Sequence, residues 1–204
     1  MYTKSQQKLL RYTRNKVKVL FADFTMPAHD YTHAARVARW AVQIARSEKA
    51  NVFLCEIVSL LHDIGRTTEP KNPGVSHHEL SYEMCREWFR DDRTFDAFSK
   101  QEKLLILYAI RFHWNDAADK YIEAVILRDA DKLDAGGVIG LRRAIQHSGG
   151  DEKRLQLEFR IHYQLAYMIQ TRLARKIAKD KKMLAPFDRA FWKFLKARIP
   201  PVSL

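Results

Sequence analysis

An all-α, single-domain fold is what this sequence predicts, and three observations carry it. Only 7 Gly and 6 Pro punctuate the 204 residues. Long stretches repeat apolar residues every three or four positions, and no segment alternates apolar with polar residues as a half-buried strand would. With 47% hydrophobic residues the chain can bury a core and is too apolar to be disordered throughout. There is no internal repeat and no low-complexity linker. The expected architecture is a helical bundle or orthogonal array. Residues 1–204 form one domain in this reading, with a core at 27–150 and C-terminal helices at 151–198 packed on it.

The elements follow in order. A first helix covers residues 4 to 23 and ends before Met26-Pro27. Asp30 or Thr32 caps a second, running to about Ser47, on which His33, Val37, Trp40 and Ile44 share a face. Asn51 caps a third, through about His62, with Leu54, Val58 and Leu61 as its stripe. Residues 65–76 contain Gly65, Pro70, Pro73 and Gly74 and read as a loop. Helices follow from about His77 to Arg90, from Ser99 to His113, and over residues 120–131. Gly136, Gly137 and Gly140 interrupt the next segment, which continues to about His147. Asp151 then caps one long helix, in which Leu155, Phe159, His162, Ala166, Ile169 and Leu173 recur at helical spacing. A last helix runs from about Pro186 to Ala197, before Pro200-Pro201.

Composition narrows the function classes. No stretch approaches the roughly 20 apolar residues of a membrane span. The N-terminus has no apolar signal core, so a cytoplasmic protein without a membrane partner is expected. Cys55 and Cys85 form no CxxC pair and read as buried thiols. The formal net charge of +12 attracts anions, whether nucleotides, nucleic acids or acidic surfaces, without choosing among them. No Gly-rich phosphate loop is visible, which excludes a P-loop enzyme.

The chemistry concentrates in three places. Leu60-Leu61-His62-Asp63-Ile64-Gly65 ends an apolar helix on an imidazole beside a carboxylate, and burying either unpaired is costly. Neighbouring helical side chains point about 100° apart, so both reach one ion only at a helix end, which Gly65 supplies. His33 lies on the apolar face of its own helix; alone it would read as a satisfied core residue. Asp129, Asp131 and Asp134 crowd a half-apolar segment and repel one another unless a cation or basic partner intervenes. Three helices each offer an inward ligand, and imidazole plus carboxylate suits Mn, Mg, Fe, Co, Ni or Zn.

The order H…HD…D resembles the HD superfamily of metal-dependent phosphohydrolases. His29-Asp30-Tyr31-Thr32-His33-Ala34-Ala35-Arg36-Val37 is similar to its first motif, and Leu61-His62-Asp63-Ile64-Gly65 to its namesake motif. The stretch from Glu123 to Ala135 is similar to the last motif. With Gly137-Val138-Ile139-Gly140 and the helix around Thr171 to Ile177, the chain most resembles small bacterial HD hydrolases that include nucleotide pyrophosphohydrolases. The resemblance covers most of residues 27–195. It implies an HD-type helical fold and a divalent ion, one per chain, on His33, His62, Asp63 and Asp131. Asp129 and Asp134 are then cap, salt-bridge or outer-shell residues. His78 and His113 stand where some relatives bind a second ion, but Trp114 occupies the place of a second His in dinuclear relatives. His77, His147 and His162 read as surface or packing residues.

The implied reaction is hydrolysis of a phosphoester or phosphoanhydride, with a nucleotide as the expected substrate. Asp63 is expected to orient the water, and Asp134 and Glu123 are weak candidates for the base. Arg36, Arg66, Lys71, His78, His113 and Lys132 are the candidates for substrate contact. Residues 65–76 should lie over the site, and their sequence departs from the pyrophosphohydrolase branch, which leaves the substrate more open than the metal. Tyr31, Phe112 and Trp114 are expected to pack in the core, with base stacking as the alternative. Two rival readings stand beside this one. One is a phosphodiesterase acting on nucleic acid or a cyclic nucleotide; the other is a non-catalytic, basic, nucleic-acid-binding helical protein.

Overall fold

The computed structural model describes residues 2–22 and 30–196, and among them all regular structure is helical. The expected helix end at Met26-Pro27, His29 of the first motif, and Ala197 to Pro201 lie outside the described residues. Ten α-helices are described: α1 (Lys4–Ala22), α2 (Tyr31–Ser47), α3 (Val52–Leu61), α4 (His77–Asp91), α5 (Lys100–Arg111), α6 (Ile122–Asp134), α7 (Gly137–Ser148), α8 (Glu152–Tyr167), α9 (Arg172–Asp180) and α10 (Ala185–Lys196). Among the described residues no helix is long and apolar enough to cross a membrane. Cys55 and Cys85 are both buried free thiols.

Helix α3 is the centre of the fold. It is apolar on every face, as a helix enclosed on all sides must be, and Phe53 through Leu61 are all buried. Asn51 starts it, its side chain accepting the Leu54 N–H at 3.1 Å. The only carboxylate on α3, Glu56, is buried and matched by Arg14 and by the Tyr2 hydroxyl (2.6 Å), which fastens α1 across it. Helix α2 packs against both α3 and α6 through Val37, Ala38, Ala41, Ile44 and Ala45, whose small size permits close approach. Asp30 caps α2 by accepting the His33 N–H at 3.0 Å, which fixes the first turn that carries His33.

The segment after α3 is less of an open loop than its Gly and Pro residues suggest. Ile64–Thr67 and Glu69–Lys71 each form a 3-10 turn. The first of these lies hard against α4. A Cβ on Gly65 would stand 2.3 Å from the His77 carbonyl oxygen and 2.4 Å from the Ser81 nitrogen. The Gly65 N–H donates to Ser81 Oγ at 2.8 Å. Glycine is required here for closeness, and that closeness brings the start of α4 beside His62-Asp63.

One expected helix is two. The periodic run from Asp151 through Leu173 breaks after Tyr167, and α9 starts at Arg172. No Gly or Pro marks the break. Its cause is Asp129 of α6, whose buried carboxylate accepts the backbone N–H groups of Gln170 (3.0 Å) and Thr171 (2.6 Å). A charged acceptor outbids the next intrahelical carbonyl for these donors. Helix α6 also runs further than expected, to Asp134, so that Asp131 and Asp134 lie one turn apart on a single helix. Helices α7, α8 and α10 share a smaller apolar cluster of Ala144, Phe159 and Phe187.

Candidate metal centre

Three helix ends converge. His33 stands in the first turn of α2, His62 caps the C-terminus of α3, and Asp131 lies in the last turn of α6. Asp63 leaves the helix at φ −111°, ψ 12°, which turns its side chain toward that of His62. His33 Nε2 lies 3.3 Å from Asp131 Oδ1 and 3.7 Å from Asp63 Oδ2. His62 Nε2 lies 3.7 Å from Asp63 Oδ2 and 4.0 Å from Asp131 Oδ1. One atom from each of His33, His62 and Asp131 falls within 4.8 Å of the others, a spacing that fits a shared ion.

The tautomers show why a cation fits. His62 Nδ1 is 2.8 Å from the Ser59 carbonyl, which can only accept, so Nδ1 carries the proton. Nε2 is then a buried lone pair with no hydrogen-bond donor, and it faces two carboxylates. Lone pair against carboxylate is unfavourable unless a positive charge lies between them. His113 repeats the pattern, with Nδ1 2.6 Å from the Ile110 carbonyl and Nε2 3.8 Å from Asp63 Oδ1. His33 is held the same way by a side chain, Nδ1 lying 2.7 Å from Asp134 Oδ2. Burial disfavours charge on His33, but hydrogen bonds to Asp131 and Asp134 outweigh it and raise its pKa.

Asp134, 3% exposed, also accepts from Arg36 Nε (2.7 Å) and Nη2 (3.0 Å) and from Arg143 Nη1 (2.8 Å). It is thus an anchor beneath His33, and it does not line the cavity that opens over the centre. Asp129 is turned away to cap α9, and Glu123 accepts the Asn51 N–H at 3.2 Å, at the far end of α3 from the centre.

Asp63 joins this centre to a second group. Its Oδ1 lies 3.4 Å from His77 Nε2, and Asp63, His77 and His113 also have atoms within 4.8 Å of one another. Burial pushes His77 down to about 3 and lowers His113, so both imidazoles are neutral. Arg66 donates to Asp63 Oδ2 at 3.0 Å and lies 3.2 Å from His77 Nε2. His77 is the residue that sequence reasoning set aside. A His-His pair opening a helix gives two side chains about 100° apart, and only the docking of α4 on Gly65 selects which one faces Asp63.

A cavity of about 480 Å³ opens over both groups. Arg66, His113 and Lys132 line it, together with Trp114 and Arg143. Lys132 is braced by Asp116 and by the Met168 carbonyl at 3.0 Å. Arg36 lies behind Asp134 and borders other clefts, Lys71 is exposed outside the cavity, and His78 supports Trp114 from the side. His147 and His162 stand at the outer end of the cavity, both against Glu158, at 2.7 Å from Oε1 and from the carbonyl respectively. Tyr31 and Phe112 are partly buried, whereas Trp114 is 59% exposed and does not pack in the core.

An all-helical domain that gathers His and Asp side chains from three helix ends at the floor of a cavity is an HD-superfamily hydrolase. The chain belongs to the HD domain family, whose family model matches residues 30–136. It is 29% identical to YpgQ of Bacillus subtilis over 168 residues, which span 75% of this chain and 77% of YpgQ. The crystal structure of YpgQ in complex with ADP matches with a TM-score of 0.72, at 25% identity, covering 97% of this chain and 98% of that one. An HD-superfamily hydrolase from an uncultured Thermotogales bacterium matches with a TM-score of 0.66, at 28% identity, covering 93% and 92%. Ribonuclease Y of Thermoanaerobacter pseudethanolicus is 25% identical over 114 residues, only 20% of its length.

Proposed function

We propose that this chain is a metal-dependent phosphohydrolase acting on a nucleotide, with one divalent ion held by His33, His62, Asp63 and Asp131. The observation that carries the reading is the buried Nε2 of His62, without a hydrogen-bond donor and aimed at two carboxylates. A bound ion supplies Lewis acidity, lowering the pKa of water and drawing charge from a phosphoryl oxygen.

The chain's own residues do the rest. Asp134 holds the proton on His33 Nδ1 and so keeps Nε2 available, and the Ser59 carbonyl does the same for His62. Asp63 presents Oδ1 to the cavity, where it orients the attacking water. Arg66, Lys132 and Arg143 neutralise charge that develops on the phosphoryl oxygens. Neutral His77 and His113 complete the wall that receives the phosphate. The nucleotide assignment is supported by the likeness to YpgQ, whose crystal structure holds ADP. The short match to Ribonuclease Y keeps a phosphodiesterase on nucleic acid as the second reading.

Metal analysis of the purified protein, paired with a hydrolysis screen of nucleotides in Mn²⁺, tests this. About one ion per chain is expected, lost in His62→Ala and Asp63→Ala, with release of phosphate or pyrophosphate. Two ions per chain would reassign His77 and His113 from phosphate binding to metal binding. Neither metal nor turnover after Mn²⁺ addition would favour the non-catalytic reading.

A further inference from the structure

Trp114 lies at the wall of the metal cavity and is more than half exposed. An indole so placed is costly to leave in water, and the apolar core has no hold on it. It is nonetheless positioned. Its ring lies 5.5 Å from the His78 ring, tilted by 32°, and His78 is braced by Ser76 Oγ at 2.8 Å. His78 in turn lies 6.0 Å from the ring of His113, which faces Asp63. A short chain of rings thus runs from the phosphate-binding wall to an exposed indole. Across α8, Ile161 and Leu165 add apolar lining to the same cavity one helical turn apart. The cavity therefore has a charged floor of imidazoles, carboxylates and guanidinium, and an apolar, aromatic flank.

We propose that Trp114 is a specificity-determining residue that binds the nucleobase by stacking while the phosphates lie over the metal centre. This rests on the nucleotide reading above. A flat aromatic ring recognises any base through its π-face, and a purine offers it the greater area. His78 acts as the backing that holds the indole edge in place, which accounts for its position outside the cavity lining. The inorganic part of the substrate gains nothing from Trp114, because the groups that meet phosphate belong to the floor.

The test is equilibrium binding of ADP and of inorganic pyrophosphate to the full chain in Mn²⁺, for wild type, Trp114→Ala and Trp114→Phe. Wild type is expected to prefer ADP over pyrophosphate, and Trp114→Ala to reduce that preference by about 5- to 100-fold, the range of one aromatic–base stack. Trp114→Phe should restore most of it, which a merely structural role would not predict. Quenching of tryptophan fluorescence by ADP, lost in Trp114→Ala, is the matching optical signal. If wild type prefers ADP and Trp114→Ala keeps that preference, or if wild type shows no preference, the stacking role is overturned. Hydrolysis of nucleotides by wild type, measured separately, decides the phosphohydrolase reading whatever Trp114 does.

Discussion

Asp134→Asn separates a positioning carboxylate from a catalytic base. Asp134 receives four short contacts, from His33 Nδ1, from two nitrogens of Arg36 and from Arg143, at 2.7 to 3.0 Å. Asparagine keeps one oxygen but turns an NH₂ group toward donors, and it removes the only charge shown to balance both guanidinium groups at this point. Breaking a buried ion pair costs roughly 3–5 kcal/mol. Both arginines keep some access to water, with side chains 18% and 15% exposed, so the lower end, about 3 kcal/mol, is expected. In a domain of this size that lowers Tm by roughly 6–12 °C. His33 also loses its orientation, and metal affinity should fall about 10- to 100-fold. Mn²⁺ titration followed by activity at saturating metal is the assay, with thermal melts alongside. Weakened metal binding with kcat largely recovered at saturating Mn²⁺ is the expected pattern. Unchanged Mn²⁺ affinity with a large fall in kcat would make Asp134 the base and refute the positioning argument.

Further perturbations probe the frame around the centre. Gly65→Ala forces a Cβ to within 2.4 Å of α4 backbone atoms and should cost about 3 kcal/mol by overpacking. Gly74→Ala, at φ +86° with open space around it, should cost only about 1 kcal/mol, and comparative thermal melts read the difference. Asp129→Ala orphans the Gln170 and Thr171 amides and should cost about 2 kcal/mol, with faster hydrogen exchange at those two positions as its signature. Asp92 tests pH dependence. Burial pushes its carboxyl up, but hydrogen bonds from Tyr12, Lys16 and the Thr94 N–H outweigh this and hold it below the usual range. A depressed carboxyl stabilises the fold above its unfolded value, near pH 4, and that stability is lost as pH falls through the folded value. Asp92→Asn should therefore destabilise by about 2 kcal/mol at pH 7, with the gap from wild type shrinking in melts below about pH 4.

The sequence by itself determined the fold class, the order of most helices and the His33, His62-Asp63 and Asp131 set as candidate ligands. These are legible because helical period, capping residues and a motif at a helix end are local signals: Asp30 and Asn51 start their helices where their chemistry says they should. What the tertiary structure alone decided is everything that depends on which residues meet across the chain. Residues 151–173 carry a continuous helical period, and only Asp129, about forty positions away, takes the donors that would have continued it. His77 and His78 are indistinguishable as letters, and the contact of Gly65 with α4 sends one to Asp63 and the other to Trp114. Trp114 reads as core from its hydrophobicity, and only the packed surface shows it left outside at the cavity wall. Long-range contacts of this kind arise from side-chain packing between distant elements, and a local pattern carries no record of the partner.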